Sequence, residues 1–235
     1  MVGRKFTESI LGNDITSEGV SEEVAAIISA ALMHVPFDGW SDAAMKVTAD
    51  ELGLSASDVA KLFPKGVVSV ITVGSDDVDA KMISEFMARY EGRFDEIPVH
   101  IKIRELLLIR FEILKPHKEA VRKFMTSTAK PAHAELNLRL VYNTLDRIWR
   151  TSGDRSSNFN FYTKRATLGA VYGSTMLAFL DDDTPDMEKT RGFLDRRLQD
   201  VAMIPKMTKP LREAANIVAV MASRVLNKSS TNMRF

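Results

Sequence analysis

The stretch SEEVAAIISAALMHVPFDGWSDAAMKVTADELGLSASDVAKLFPKG, residues 21–66, decides the fold. Ser21 is placed to cap a helix whose first turn carries Glu22 and Glu23, acids that suit the positive end of the helix dipole. Val24, Ile27, Ile28, Ala31 and Leu32 then recur with the period of one buried helical face. Pro36-Phe37-Asp38-Gly39 reads as a break. Ser41 opens a second helix that runs to Leu52, with Gly53 as its stop. Ser55 and Asp58 make a capping-box-like pair at the start of a short third helix, which ends before Phe63-Pro64.

Helical signals continue to the end of the chain. Val67 to Val73 is β-branched, but Val78, Met82, Phe86 and Tyr90 follow at helical spacing, so residues 67–90 read as one helix with a weak first half. Apolar helices are expected over 98–115, onward from Pro116, over 132–150 and over 159–180. Thr184-Pro185-Asp186 reads as the start of a further helix to 203. Pro205 and Pro210 bracket a break before a last helix, 211–226. No strand alternation is found. The expected class is all-α with about ten helices: a three-helix unit (1–66), a helical core (67–205) and a basic terminal helix (206–235).

The chain has 235 residues, 45% hydrophobic and 27% charged, with a net charge of +1, which is the mix of a globular domain with a full core. With no cysteine, a disulfide framework, a thiolate metal site and a cysteine nucleophile are excluded. His34, His100, His117 and His133 fall in no metal-type pairing, and His34 lies on the first apolar helix as a core or boundary residue. Asp181-Asp182-Asp183 joins two helices and reads as a solvated turn rather than a cation site. No phosphate loop, dinucleotide fingerprint or nucleophile elbow occurs, so no catalytic residue, metal or cofactor is assigned. The first twenty residues resemble neither a signal nor a transit peptide, and the apolar run 166–180 is shorter than the ~20 residues of a membrane span.

The three-helix unit has the outline of a helix-turn-helix, and with its place at the start of an all-helical chain it resembles the TetR-type regulators. Charge opposes a DNA-reading role. Residues 21–66 hold three basic side chains (Lys46, Lys61, Lys65) against seven acidic ones, a net of −4, where phosphate contact needs cations. A TetR-type regulator binding DNA and a hydrophobic ligand stands as the alternative reading.

Two apolar segments call for cover. Helix 159–180 carries Gly169, Ala170, Gly173 and Ser174 among larger residues, so self-association through 159–180 and 186–203 is expected, with Gly173→Leu overfilling the packing. The terminal helix sets Leu211, Val218, Met221 and Val225 on one arc, and residues 206–235 carry six basic residues and one acid, a net of +5. Such a helix, with Lys209, Arg212 and Arg224, suits an anionic membrane surface or a dock on the core.

Several motifs resemble the lipid-binding accessory proteins of ubiquinone biosynthesis (coenzyme Q accessory protein nine). They are Val35-Pro36-Phe37-Asp38-Gly39-Trp40, Leu145-Asp146-Arg147-Ile148-Trp149, Asn158-Phe159-Asn160-Phe161-Tyr162-Thr163-Lys164-Arg165-Ala166 and Phe193-Leu194-Asp195-Arg196-Arg197. Against the family signature, Phe161 stands for tryptophan, Asn158 for aspartate and Lys164 for arginine. The resemblance implies a TetR-like fold that reads no nucleic acid. It implies an isoprenoid or phospholipid held between the later helices, with Leu107, Phe111, Leu140, Val171 and Met176 as lining. It further implies a protein seated on a membrane by its terminal helix that presents precursor to a di-iron hydroxylase; with no transit peptide read at the start of the chain, the expected place is the inner face of a bacterial membrane, and with the self-association expected above the state is a homodimer. Phe161, Tyr162 and Arg165 are the expected partner contacts; the competing reading of the two rings is burial in the core.

Overall fold

The computed structural model describes residues 21–128, 134–153 and 159–201, with side chains from Lys164 onward in the last stretch. The described residues are helical throughout, as the periodicity implies. α1 (Glu22–Asp38), α2 (Asp42–Glu51) and α3 (Ala56–Leu62) form the N-terminal unit. α4 (Val67–Arg89), α5 (Val99–Leu114), α6 (Lys118–Thr128), α7 (Ala134–Thr151), α8 (Phe159–Leu180) and α9 (188–201) form the larger body.

The caps are those the serines foretell. Ser21, Ser41 and Ser55 accept from the backbone N–H groups of Val24, Ala44 and Asp58. Ser55 also donates to the Asp58 carboxylate at 2.6 Å, closing the first turn of α3. Gly53 takes φ +65°, a left-handed value that only glycine adopts freely, and the Leu54 N–H returns to Ala49 at 2.9 Å.

Two boundaries differ from the sequence reading. α1 does not stop at Pro36 but runs through it to Asp38, because a proline near the last turn forfeits one backbone donor while the Gly39 N–H still closes on Val35 at 2.9 Å. α9 begins at 188 rather than at Pro185. Met187 takes φ +54° and is buried, which delays the helix, and Thr184 still caps it by accepting the Glu188 N–H at 2.8 Å.

α4 belongs to two cores, which accounts for its uneven pattern. Val70, with Val67 and Val73 beside it, packs on Val24, Ile27, Ala31 and Phe63 of the N-terminal unit. Met82 and Phe86 pack on Leu106, Leu107, Phe111 and Ile148 of the main body. The rings of Phe111 and Tyr172 stack at 5.9 Å, and Phe111 meets Phe179 at 5.0 Å, tying α5 to α8. Leu145 of α7 lies 3.3 Å from where a Cβ on Gly169 would sit, so that glycine permits the α7–α8 approach.

In the acidic run at the α8–α9 turn Asp181 and Asp183 are exposed, as a solvated turn implies, but Asp182 is not. Asp182 is buried and accepts from the backbone N–H and hydroxyl of both Thr184 and Thr190. Burial works against its charge, but those four donors outweigh it and hold the carboxyl well below the usual range. Among the described residues no cluster of histidines and acids is arranged to hold a metal ion.

Candidate functional site

A cavity of about 330 Å³ lies between α1, α4, α5, α6, α7 and α8. Its apolar wall includes Ile28 and Leu32 of α1, Ile71 and Val78 of α4, Ile113 of α5, Phe124 and Met125 of α6, Leu140 of α7 and Met176 of α8. The N-terminal unit is thus part of the wall. Trp40, which follows α1, also lines the cavity and donates its indole N–H to the Ala120 carbonyl on α6 at 2.9 Å.

One end of the cavity is polar. Arg110 and Tyr172 come from helices that are otherwise apolar there, and both are buried. Arg110 donates through Nε to the Tyr172 hydroxyl at 3.0 Å and through Nη1 to Asp79, itself 1% exposed. Asp79 also accepts from Thr144 at 3.0 Å and from Arg147 at 3.2 Å. Arg147 makes a second ion pair with Asp76 at 2.9 Å. Burial raises the Asp76 carboxyl above its ordinary value, and the Arg147 charge opposes that rise. The network fixes α4, α5, α7 and α8 against one another. Lys81 and Asp77 pair at 2.7 Å on the cavity wall. The cavity-lining His117 is held below its ordinary pKa by burial and by the Lys81 charge.

The expected lining residues divide. Leu140 and Met176 line this cavity. Val171 faces a second one of about 680 Å³, between α5, the end of α7, α8 and α9, together with Trp149, Leu168 and Leu198. Leu107 and Phe111 line neither. Both are fully buried core residues, Leu107 a turn before the cavity-facing Arg110 and Phe111 enclosed by the rings of Tyr172 and Phe179. Ile28, Leu32, Trp40, Phe124 and Met125 escape the sequence reading. Their apolar periodicity was visible, but the void they surround exists only once six helix faces converge.

Arg165, expected at a partner surface, is 4% exposed and holds the Asp146 carboxylate at 2.6 Å. Its charge therefore joins the start of α8 to α7 rather than facing solvent. The side chains of Phe161 and Tyr162 lie outside the described ones, as do Lys209, Leu211, Arg212, Val218, Met221, Arg224 and Val225 in their entirety. His34 pairs with Glu51 at 2.6 Å at the boundary of the N-terminal unit. Gly173 is not tightly packed: a Cβ there would meet no atom within 4 Å, because the residue borders the cavity. Within its own chain Gly173→Leu therefore has room; the overfilling expected from the small-residue pattern concerns the contact between two copies.

Comparison with known proteins follows the same lines. The COQ9 family profile matches residues 134–205, from α7 through α9. The chain is 30% identical over 209 residues to "Ubiquinone biosynthesis protein COQ9, mitochondrial" of Drosophila melanogaster, covering 88% of this chain and 64% of that protein. It is 28% identical over 213 residues to the Homo sapiens protein of that name, covering 88% of this chain and 67% of the human one. The chain thus spans just under two thirds of the fly relative's length. Among solved structures, a TetR transcriptional regulator from Nitrosomonas europaea superposes with a TM-score of 0.63 over 77% of this chain and 99% of that one. At 19% identity that likeness concerns the fold alone. The resemblance read from the motifs holds: the chain is similar to the COQ9 ubiquinone biosynthesis proteins, and its fold is like that of the TetR-type regulator.

Proposed function

We propose that this protein serves ubiquinone biosynthesis as a non-catalytic accessory protein that holds a lipid in the cavity between α1, α4, α5, α6, α7 and α8. The observation that carries the reading is the cavity itself: a mostly apolar hollow of about 330 Å³ with the buried Arg110 and Tyr172 in its wall, in the size range of ligand sites. The similarity to COQ9 proteins along 88% of the chain supports the pathway. An isoprenoid tail or an acyl chain suits such a wall, because each methylene moved out of water contributes about 0.8 kcal/mol.

Two further parts of the reading concern surfaces. Residues 206–235, with a net charge of +5, bring the protein to an anionic membrane, where the lipid exchanges. The contact is read as peripheral; among the described residues no helix is long and apolar enough to cross a bilayer. Phe161 and Tyr162 at the start of α8 meet a di-iron hydroxylase, to which the lipid is presented, while Arg165 positions that start on Asp146. Self-association uses α8, whose Ala166, Ala170 and Leu177 are exposed along one line.

Lipid extraction from the purified chain followed by mass spectrometry tests the cavity, and liposome flotation of the chain with and without residues 206–235 tests the membrane contact. A stoichiometric lipid and a flotation that depends on the terminal segment support the reading. Salt-sensitive, sequence-specific retardation of duplex DNA would overturn it in favour of a regulator.

A further inference from the structure

The charges around the cavity are matched pair by pair, and that restricts what the cavity accepts. Lys81 pairs with Asp77, Arg110 with Asp79, and Arg147 with both Asp76 and Asp79. The cations and the carboxylates in this set are equal in number. His117 adds no positive charge at neutral pH, since burial and the Lys81 ammonium hold its imidazole below the ordinary value.

Arg110 is the cation with a free direction. A guanidinium has five N–H donors. Its Nε and Nη1 are committed to Tyr172 and Asp79, but among the described residues Nη2 has only the Ser75 hydroxyl at 3.4 Å, the long limit of a hydrogen bond. Arg110, Ser75 and Tyr172 all line the cavity, and the Arg110 side chain is 7% exposed. A ligand oxygen placed at Nη2 would make a better bond than Ser75 does.

Resting on the reading that the cavity holds a lipid, we propose that its ligand is a single-chain amphiphile with an uncharged oxygen-acceptor head, received at Arg110 Nη2 beside Ser75, and that ionised heads are rejected. The volume, near the lower end for ligand sites, favours one chain over two. An ionised carboxylate or phosphate brought out of water needs a counter-charge, and every cation here is already neutralised. Such a head at Nη2 would set a second negative charge beside Asp79, a carboxylate that is 1% exposed and already matched to Arg110 and Arg147, with no further cation to offset it. An uncharged carbonyl or ether oxygen accepts a hydrogen bond from Nη2 without disturbing that pair.

The two tryptophans of the chain provide the readout. Trp40 lines this cavity and Trp149 the second one. The Trp149 indole N–H has no acceptor among the described residues, so Trp149→Phe breaks no hydrogen bond there and leaves Trp40 as the emitter. The full chain carrying Trp149→Phe is titrated at neutral pH with methyl dodecanoate, dodecanoate and dodecyl phosphate. The expected result is that the ester changes Trp40 emission and binds at least about tenfold more tightly than either anion. Equal or tighter binding of an anion overturns the head-group inference and leaves the lipid reading standing. Failure of all three to bind overturns both. Arg110→Lys, which keeps the charge and loses the fork, is expected to erase the preference for the ester. Where that variant melts early, Ser75→Ala replaces it. It frees Nη2 and is expected to hold the ester at least as tightly as before, and a tenfold loss would overturn the proposal.

Discussion

Trp40 donates its indole N–H to the backbone carbonyl of Ala120, 2.9 Å away across the boundary between the N-terminal unit and α6. The bond docks a helix-turn-helix-like unit onto the body as a wall of the cavity, with Ile28 and Leu32 of α1 on the same side. Trp40→Phe keeps the ring and leaves the Ala120 carbonyl without that donor. A loss of about 1–3 kcal/mol in unfolding free energy by urea is expected, with weaker lipid binding. Unchanged stability and binding would show that the unit docks by other means.

Asp79 is the hub of the buried network, with Arg110, Arg147 and Thr144 as donors. Asp79→Asn leaves the buried Arg110 guanidinium without its counter-ion, while Arg147 keeps Asp76, and should cost about 3–5 kcal/mol. Thr144→Val removes one hydrogen bond and should cost about 1–2 kcal/mol. Equal losses in the two variants would show that the ion pairing contributes little.

The Asp182 carboxyl is held well below its ordinary value, so its contribution to stability has a definite pH window. A depressed folded pKa means that stability is complete above the unfolded value, about 3.9, and fades as the pH falls through the folded one. Asp182→Asn is expected to destabilise the protein by about 1–3 kcal/mol, because the amide offers one acceptor oxygen where Thr184 and Thr190 need two. The gap between wild type and variant should stay constant from pH 8 to about 5 and narrow only below about 4. Narrowing already between pH 7 and 5 would contradict the assignment.

Gly169 and Gly173 differ in a way their spacing conceals. A Cβ on Gly169 would press on Leu145 at 3.3 Å, whereas one on Gly173 would meet nothing within 4 Å. Gly169→Leu should therefore lower the melting temperature markedly, at a cost of about 1–3 kcal/mol. Gly173→Leu meets no atom of its own chain and should not incur that packing cost. Similar melting of the two variants would mean that α8 packs differently against α7.

Much of the fold was legible in residues 21–66, because caps and periodicity are local: Ser21, Ser41 and Ser55 cap as their positions imply. The extension of α1 through Pro36 and the late start of α9 were not legible. They depend on a single end-of-helix bond and on the burial of Met187, both set by the tertiary fold. Of the site, Leu140 and Met176 were readable as apolar faces of central helices, but Leu107 and Phe111 share that signature and are core. Arg110 and Tyr172, polar groups inside apolar helices, were the overlooked signal. Arg165 looked like a surface cation because its partner Asp146 lies on another helix.

The central claim is that the cavity between α1, α4, α5, α6, α7 and α8 holds a lipid. Native mass spectrometry of the wild-type chain, purified without added lipid, tests it most directly. The account predicts an apolar ligand bound one to one in the wild type. A wild-type chain free of any ligand would contradict it.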